Sequence, residues 1–162
     1  MRPVGGRAYA QLMSAAFIDE VFADRAAHVL RRREQLAAGR ATWVAELERA
    51  PRQLVGFVSS GPARLADASA PHELYALYTR AAVWGRGVGQ ALHEVAVGDR
   101  AAYLWTLEGN ERSRAFYERQ GYRDDGDLDM AVEGDRADGA TEVHLMGRHL
   151  RMVRLQADRS HA

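Results

Sequence analysis

From Arg7 to about Phe22 the apolar residues Tyr9, Leu12, Met13, Ala16, Phe17 and Val21 recur at spacings of three and four, the stripe of a helix buried along one side. A second helical stretch runs from about Asp24 to Ala38, carries Ala27, Leu30 and the run Arg31-Arg32-Arg33, and stops near Gly39. The arginine run reads as a solvated helix face. The pattern then shortens. Thr42 to Leu47 (TWVAEL) and Leu54 to Ser59 (LVGFVS) read as two strands of a hairpin turning around Ala50 and Pro51. A loop rich in Pro, Ala and Ser, Gly61 to Pro71, leads into Glu73 to Thr79 (ELYALYT), a short β-branched and aromatic run that predicts a strand.

Val88, Ala91, Leu92, Val95 and Ala96 restore a helical stripe that ends near Gly98, and Ala102 to Leu107 (AYLWTL) predicts a buried strand. Asn110 opens a further helix with Ser113, Phe116 and Tyr117 on one face and Gly121 as its stop. The acidic stretch Asp124, Asp125, Asp127 and Asp129 reads as an exposed loop, a Gly/Asp-rich segment continues to Gly139, and a last strand is expected near Glu142 to Met146. The tail from about 155 to 162 should fray. The order α-α-β-β-β-α-β-α-β in 162 residues predicts one α/β (α+β) domain spanning 1–162.

Composition narrows the chemistry. Twenty-two basic and 22 acidic residues cancel, which removes the electrostatic case for nucleic acid. Every basic residue is arginine, so the loop GxxxxGK[ST] is absent, and with no cysteine there is no disulfide, thiolate zinc site or thiol nucleophile. His144 and His149 lack a ligand pattern around them, so no metal is expected, and His93 reads as a surface residue. The first residues lack the apolar core of a signal peptide and no apolar run approaches a membrane span, so the expected address is cytoplasmic, without a membrane partner.

What remains is the turn Trp84-Gly85-Arg86-Gly87-Val88-Gly89 between the third strand and the next helix. Alternating glycines let successive backbone N–H groups converge on one point at the positive end of a helix dipole, which makes an anion site. A dinucleotide fingerprint would need a third glycine where Gln90 stands.

Trp84 to Gly89, followed by Ala91-Leu92, resembles the acyl-CoA pyrophosphate loop of the GNAT superfamily of N-acetyltransferases, whose pattern is Q/R-x-x-G-x-G/A. Asn110 followed by Phe116-Tyr117-Glu118-Arg119-Gln120-Gly121-Tyr122 is similar to that family's next motif, an Asn and then F-Y-x-x-x-G-F/Y. The resemblance covers about Ala41 to Tyr122. It implies a mixed, mostly antiparallel sheet flanked by helices, and acetyl-CoA as co-substrate for direct transfer to a primary amine of a small molecule or protein N-terminus. Trp84 departs from the usual Gln or Arg, and since the family usually begins with a strand and a longer first helix, the expectation is that the first strand is missing.

The resemblance also implies roles. Glu73, at the start of its strand, is the expected general base, with His72 as competitor; even offsets would put Glu73, Tyr75, Leu77 and Thr79 on one face. Backbone around Leu77, Tyr78 and Thr79 would hold the oxyanion and pair with pantetheine. Trp84, Gly85, Arg86, Gly87, Val88, Gly89 and Gln90 would cradle the diphosphate, with Trp84 as a cover over the cofactor. Asn110, Ser113 and Tyr117 share a helix face; Asn110 and Ser113 would meet pantetheine and Tyr117 would protonate the thiolate, since a thiol pKa of about 8.5 lies below a phenol's of about 10. Arg114, with Arg112, would reach the 3′-phosphate or simply be solvated. Trp43 and Trp105 read as core. A CoA-binding module without catalysis is the alternative function, and a homodimer is compatible with the sequence.

Overall fold

The computed structural model describes residues 25–48, 51–135 and 141–156. The expected helix from Arg7 to Phe22, any strand ahead of it, Ala50, the end of the Gly/Asp-rich segment and the tail beyond 156 lie outside the described residues. Helix α1 (Arg25–Ala37) leads to the hairpin β1 (Thr42–Leu47) and β2 (Gln53–Pro62). Next come β3 (His72–Thr79), a 3-10 turn (Ala81–Val83), α2 (Val88–Ala96), β4 (Ala102–Leu107), α3 (Glu111–Arg119), β5 (Arg123–Asp135) and β6 (Thr141–Arg154).

The described strands form one sheet in the order β1-β2-β3-β4-β6-β5. Every adjacent pair is antiparallel except β3 with β4, the pair that needs a helical crossover and receives α2 as that crossover. This is the mixed, mostly antiparallel sheet with flanking helices that the sequence predicts.

Neighbouring residues on the strands serve opposite faces. Val58, Leu74, Leu104 and Met152 belong to the main core with Leu92, Ala96 and Val97 from α2 and its end and Tyr117 and Tyr122 from α3 and its end. Tyr103 and Val153, one position along, pack with Ala70 in a smaller cluster on the other face, joined by half-buried Trp105. Trp43 packs against the main core. Both α2 and α3 therefore lie on one face of the sheet. At a side chain such as Leu104, 1% exposed, truncation to Ala would cost about 2–5 kcal/mol.

The helix C-terminal ends are tied down at one end of the sheet. The Ala96 carbonyl accepts from Ser60 Oγ at 2.9 Å and Arg100 Nη2 at 2.8 Å, with His72 Nε2 at 3.2 Å. The Arg154 guanidinium donates to the carbonyls of Gly98, Arg100 and Gln120, placing one cation where the dipoles of α2 and α3 both end negative.

The acidic stretch is a correction to the sequence reading. Asp124 to Asp129 form part of β5, and the last strand is 14 residues long, reaching Arg154. Asp is a poor strand former, yet here arginines neutralise the acids: Asp127 pairs with Arg148, Asp125 with Arg151 at 2.9 Å, and Asp124 with Arg114 at 2.6 Å. The ladder is irregular between Asp124 and Asp127, where Gly126 adopts φ 118°, a backbone state glycine tolerates.

Candidate functional site

The parallel strands β3 and β4 are joined over only three positions, His72↔Ala102, Glu73↔Tyr103 and Leu74↔Leu104. Beyond that vertex β3 stays with β2 through Gly56↔Thr79, while β4 stays with β6 through Leu107↔His149. The sheet therefore opens between the C-terminal ends of two parallel strands, the position where α/β sheets take ligands. The edge of β3 facing β4 has no ladder there.

A bulge at the vertex helps open it. Ser59 pairs with Ala76 and Ser60 with Leu74, leaving Tyr75 without a partner on β2. The Tyr75 ring lies over Gly61, where a Cβ would come within 2.7 Å of its hydroxyl, and that hydroxyl donates to the Pro62 carbonyl at 2.6 Å. The bulge also corrects the expected face. Glu73 lies with Tyr103 of the smaller cluster, whereas Leu77 packs against the main core alongside Leu74. A Cβ on Gly56 would meet Leu92 Cδ1 at 3.0 Å and Thr79 Cγ2 at 3.1 Å, so Thr79 also faces α2. Tyr78, between them, sets its ring 5.4 Å from that of Phe57.

At the open end of β3, the buried Val83 anchors the 3-10 turn and the chain enters the glycine turn. Gly85 and Gly87 sit at φ 72° and 78°, and an added Cβ at either would meet nothing within 4 Å. The space over the turn is open, and backbone sign alone demands glycine there. Gly87 is the N-cap of α2, and no side chain caps that helix. The N–H groups of Val88, Gly89 and Gln90, its first turn, are thus available to an anion. Trp84 Nε1 donates to the Thr79 carbonyl at 3.2 Å, and Trp84 is 41% exposed.

At the open end of β4, Asn110 Oδ1 accepts from the Ser113 N–H at 3.2 Å and caps α3. Tyr117 is buried within an aromatic cluster: Phe116 at 5.1 Å, Tyr122 at 5.6 Å, and His93 5.6 Å from Tyr122. Burial, with the charges of Tyr122 and Tyr78, pushes the Tyr117 hydroxyl above the ordinary tyrosine range, partly offset by a hydrogen bond from Ser113. Arg114 is held by Asp124 and, at 3.2 Å, by Glu118, whereas the Arg112 guanidinium lies over the Trp84 ring with 3.0 Å from its carbon to the centroid.

His93 corrects another expectation. It is 1% exposed, with Nε2 3.2 Å from the Tyr122 hydroxyl, because α3 covers the side of α2 adjacent to the apolar stripe. Burial, and secondarily the Arg154 charge, lowers its pKa to about 4, so it is neutral at physiological pH.

At the vertex, Glu73 is 1% exposed. Its carboxylate accepts from Arg64 Nη2, from Arg64 Nε at 3.0 Å, from the Arg64 N–H at 3.2 Å and from Tyr103 Oη at 2.6 Å. Burial by itself would raise its pKa, but the hydrogen bonds from Arg64 and Tyr103 and the Arg64 charge hold it below the usual carboxylate value. His72 turns to the helix face, and burial lowers its pKa. Glu73 stands six residues before Thr79, about 20 Å along the strand at about 3.3 Å per residue. The structure thus gathers Thr79, the glycine turn and the start of α3 at the mouth, and puts Glu73 at the closed end.

The sequence reading missed Arg64 and Tyr103, and it named Arg112 only beside Arg114, without its stack on Trp84. Alternation along β4 marks Tyr103 as facing away from Leu104, but nothing in the pattern pairs it with Glu73. Among the described residues no group of His, Asp or Glu is arranged to hold a metal, and no helix is long and apolar enough to cross a membrane.

No curated protein matches the chain. Among solved structures, a protein described as histone acetyltransferase HPA2 and related acetyltransferase from Corynebacterium glutamicum is 24% identical with TM-score 0.57, over 86% of this chain and 77% of that one. The ribosomal-protein-alanine N-acetyltransferase of Brucella melitensis is 24% identical with TM-score 0.53, over 82% and 78%. The PaiA N-acetyltransferase of Thermoplasma acidophilum, solved with coenzyme A, is 13% identical with TM-score 0.57, over 94% and 86%. These likenesses show a shared fold. The family model for the acetyltransferase (GNAT) domain matches residues 38–124, more than half of the chain and the segment that holds both turns. The opened parallel pair, the uncapped glycine turn and the Asn110–Tyr117 helix all fall inside that match, and the chain belongs to the GNAT family of acetyltransferases.

Proposed function

We propose that the protein moves the acetyl group of acetyl-CoA to a primary amine by direct attack in a ternary complex. The observation that carries this reading is the pairing of an open sheet vertex with an uncapped glycine turn at its mouth. The exposed turn fits a diphosphate: Gly87, Val88, Gly89 and Gln90 offer N–H groups with open space above Gly85 and Gly87. The unladdered edge of β3 around Leu77 and Thr79 offers backbone groups to the pantetheine amides and to the oxyanion, with Tyr78 between them. Asn110 and Ser113 flank the same opening from α3, while Arg114 is engaged by Asp124 and Glu118.

In the transfer the amine nitrogen forms a bond to the thioester carbonyl carbon, the C–S bond breaks, one amine proton is lost and the sulfur gains one. Tyr117 keeps its proton throughout the physiological range and so presents a donor to the departing sulfur as negative charge grows there. Glu73 is ionised but saturated by Arg64 and Tyr103, and we assign it chiefly to holding β3 and β4 together at the vertex. The proton of the amine then leaves through water. We place this activity in the cytoplasm, with the amine on a small molecule or a protein N-terminus.

Acetyl-CoA should raise the melting temperature by several degrees at about 100 times its Kd, a linkage of about 2.7 kcal/mol. The accompanying assay follows CoA release with polyamines, amino acids, aminoglycosides and peptide N-termini. No thermal shift at millimolar ligand overturns the reading, and a shift with no CoA release from any amine would leave a binding module.

A further inference from the structure

Trp84 occupies the turn position where the loop pattern carries Gln or Arg, and its surroundings supply a reason. Its indole donates to the Thr79 carbonyl, which folds the ring back across the end of β3. Arg112, in the first turn of α3, lays its guanidinium on that ring. Beyond Leu74 and Leu104 the two strands have parted, so this stack joins the turn after β3 to the helix after β4 across the mouth of the opening. Arg114, two residues along the same helix, is tied to Asp124 and Glu118, whereas the ring keeps Arg112 at the turn.

We propose that Trp84 and Arg112 act as a latch over the diphosphate of acyl-CoA. Trp84 is the positioning residue, and Arg112 supplies from α3 a cationic contact that the turn position itself lacks. The proposal rests on the acyl-CoA reading above. A guanidinium stacked on indole retains its N–H edges, which lie in the ring plane and remain free to bond phosphate oxygens. With Arg112 on α3 and the uncapped start of α2 across the mouth, the anion would be held between α2 and α3. Trp84 is exposed, so replacing it leaves the core intact.

The test measures calorimetric binding of CoA, 3′-dephospho-CoA and pantetheine to wild type, Trp84→Ala, Trp84→Phe, Arg112→Gln and the double variant. Expected is a roughly tenfold loss of CoA and dephospho-CoA affinity in Trp84→Ala and in Arg112→Gln. The double variant should lose little more than either single one, Trp84→Phe should recover part of the loss, and pantetheine binding should be unchanged. Additive losses, unaltered CoA binding in either single variant, or an equal loss for pantetheine would overturn the latch. A loss confined to CoA and absent with dephospho-CoA would overturn it by moving Arg112 to the 3′-phosphate. Failure of the wild type to bind CoA at all would instead bring down the acyl-CoA reading, and the latch with it.

Discussion

Strands β3 and β4 run parallel, and each is followed by a turn and a helix that starts at the mouth of the opening. Their helices end alike, with C-terminal carbonyls tied to Ser60, Arg100 or Arg154, but begin in opposite ways. Helix α2 starts on Gly87, with no side-chain cap and positive-φ glycines beneath open space. Helix α3 starts on Asn110, whose side chain satisfies the Ser113 N–H. One N-terminus is left for a ligand and the other is settled within the chain. The difference teaches a division of labour. The first unit leaves backbone N–H groups exposed for the proposed anion, whereas the second is internally complete and holds Tyr117 and Arg112 in a fixed frame.

Four substitutions would break or sharpen that contrast. Tyr117→Phe, in the completed unit, should lower kcat by about 100-fold or more with the KM for acetyl-CoA little changed, read in steady-state kinetics. Unaltered turnover would remove it as the proton donor. Gly87→Val, in the open unit, should do the reverse, weakening CoA binding by roughly tenfold or more because a β-branched residue resists φ 78° at about 1–2 kcal/mol. Calorimetric titration of CoA is the readout.

Glu73→Gln tests the joint between the two units. Loss of the buried, charge-assisted bonds from Arg64 and Tyr103 should destabilise the fold by about 1–3 kcal/mol near neutrality in denaturant melts. The folded pKa lies below the unfolded value of 4.5, so the stabilisation is complete above pH 4.5 and is lost as pH falls through the folded pKa. The wild type should therefore lose stability in that acid window, and the variant should lose less. If Glu73 only holds the vertex, the variant's pH–rate profile stays parallel to wild type; a selective deficit at lower pH, where amines are protonated, would make it the base. The smallest effect belongs to Asn110→Ala, about 1 kcal/mol of stability as a lost cap, measured by thermal melting.

Legibility along the chain followed how local each cause was. Helices α1, α2 and α3 and strands β1 and β4 were readable to within a residue or two, because periodicity, Gly39, Asn110 and Gly121 mark them locally. Strand β5 was not, since its acids become compatible with a ladder only when Arg148, Arg151 and Arg114 arrive from elsewhere in the chain. His93 was read as exposed because a polar residue beside an apolar stripe carries no sign that α3 will cover it. The Tyr75 bulge was equally silent: it depends on the register of β2, and it moved Leu77 to the opposite face from Glu73. The cofactor-site motifs were legible as residue types, while the Trp84–Arg112 stack and the Arg64–Glu73–Tyr103 cluster were not.

By itself the sequence determined which turn would be glycine-rich with an uncapped helix start, because positive φ follows from glycines at fixed spacing in one short stretch. It also determined the fold class and family, through strand and helix periods and two motifs in order. Only the tertiary structure decided where β3 and β4 part, which faces Glu73 and Leu77 occupy, and which arginine stands across the mouth. Those outcomes depend on a bulge and on side chains converging from distant elements, and no local pattern marks where such a bulge falls or which distant side chain arrives.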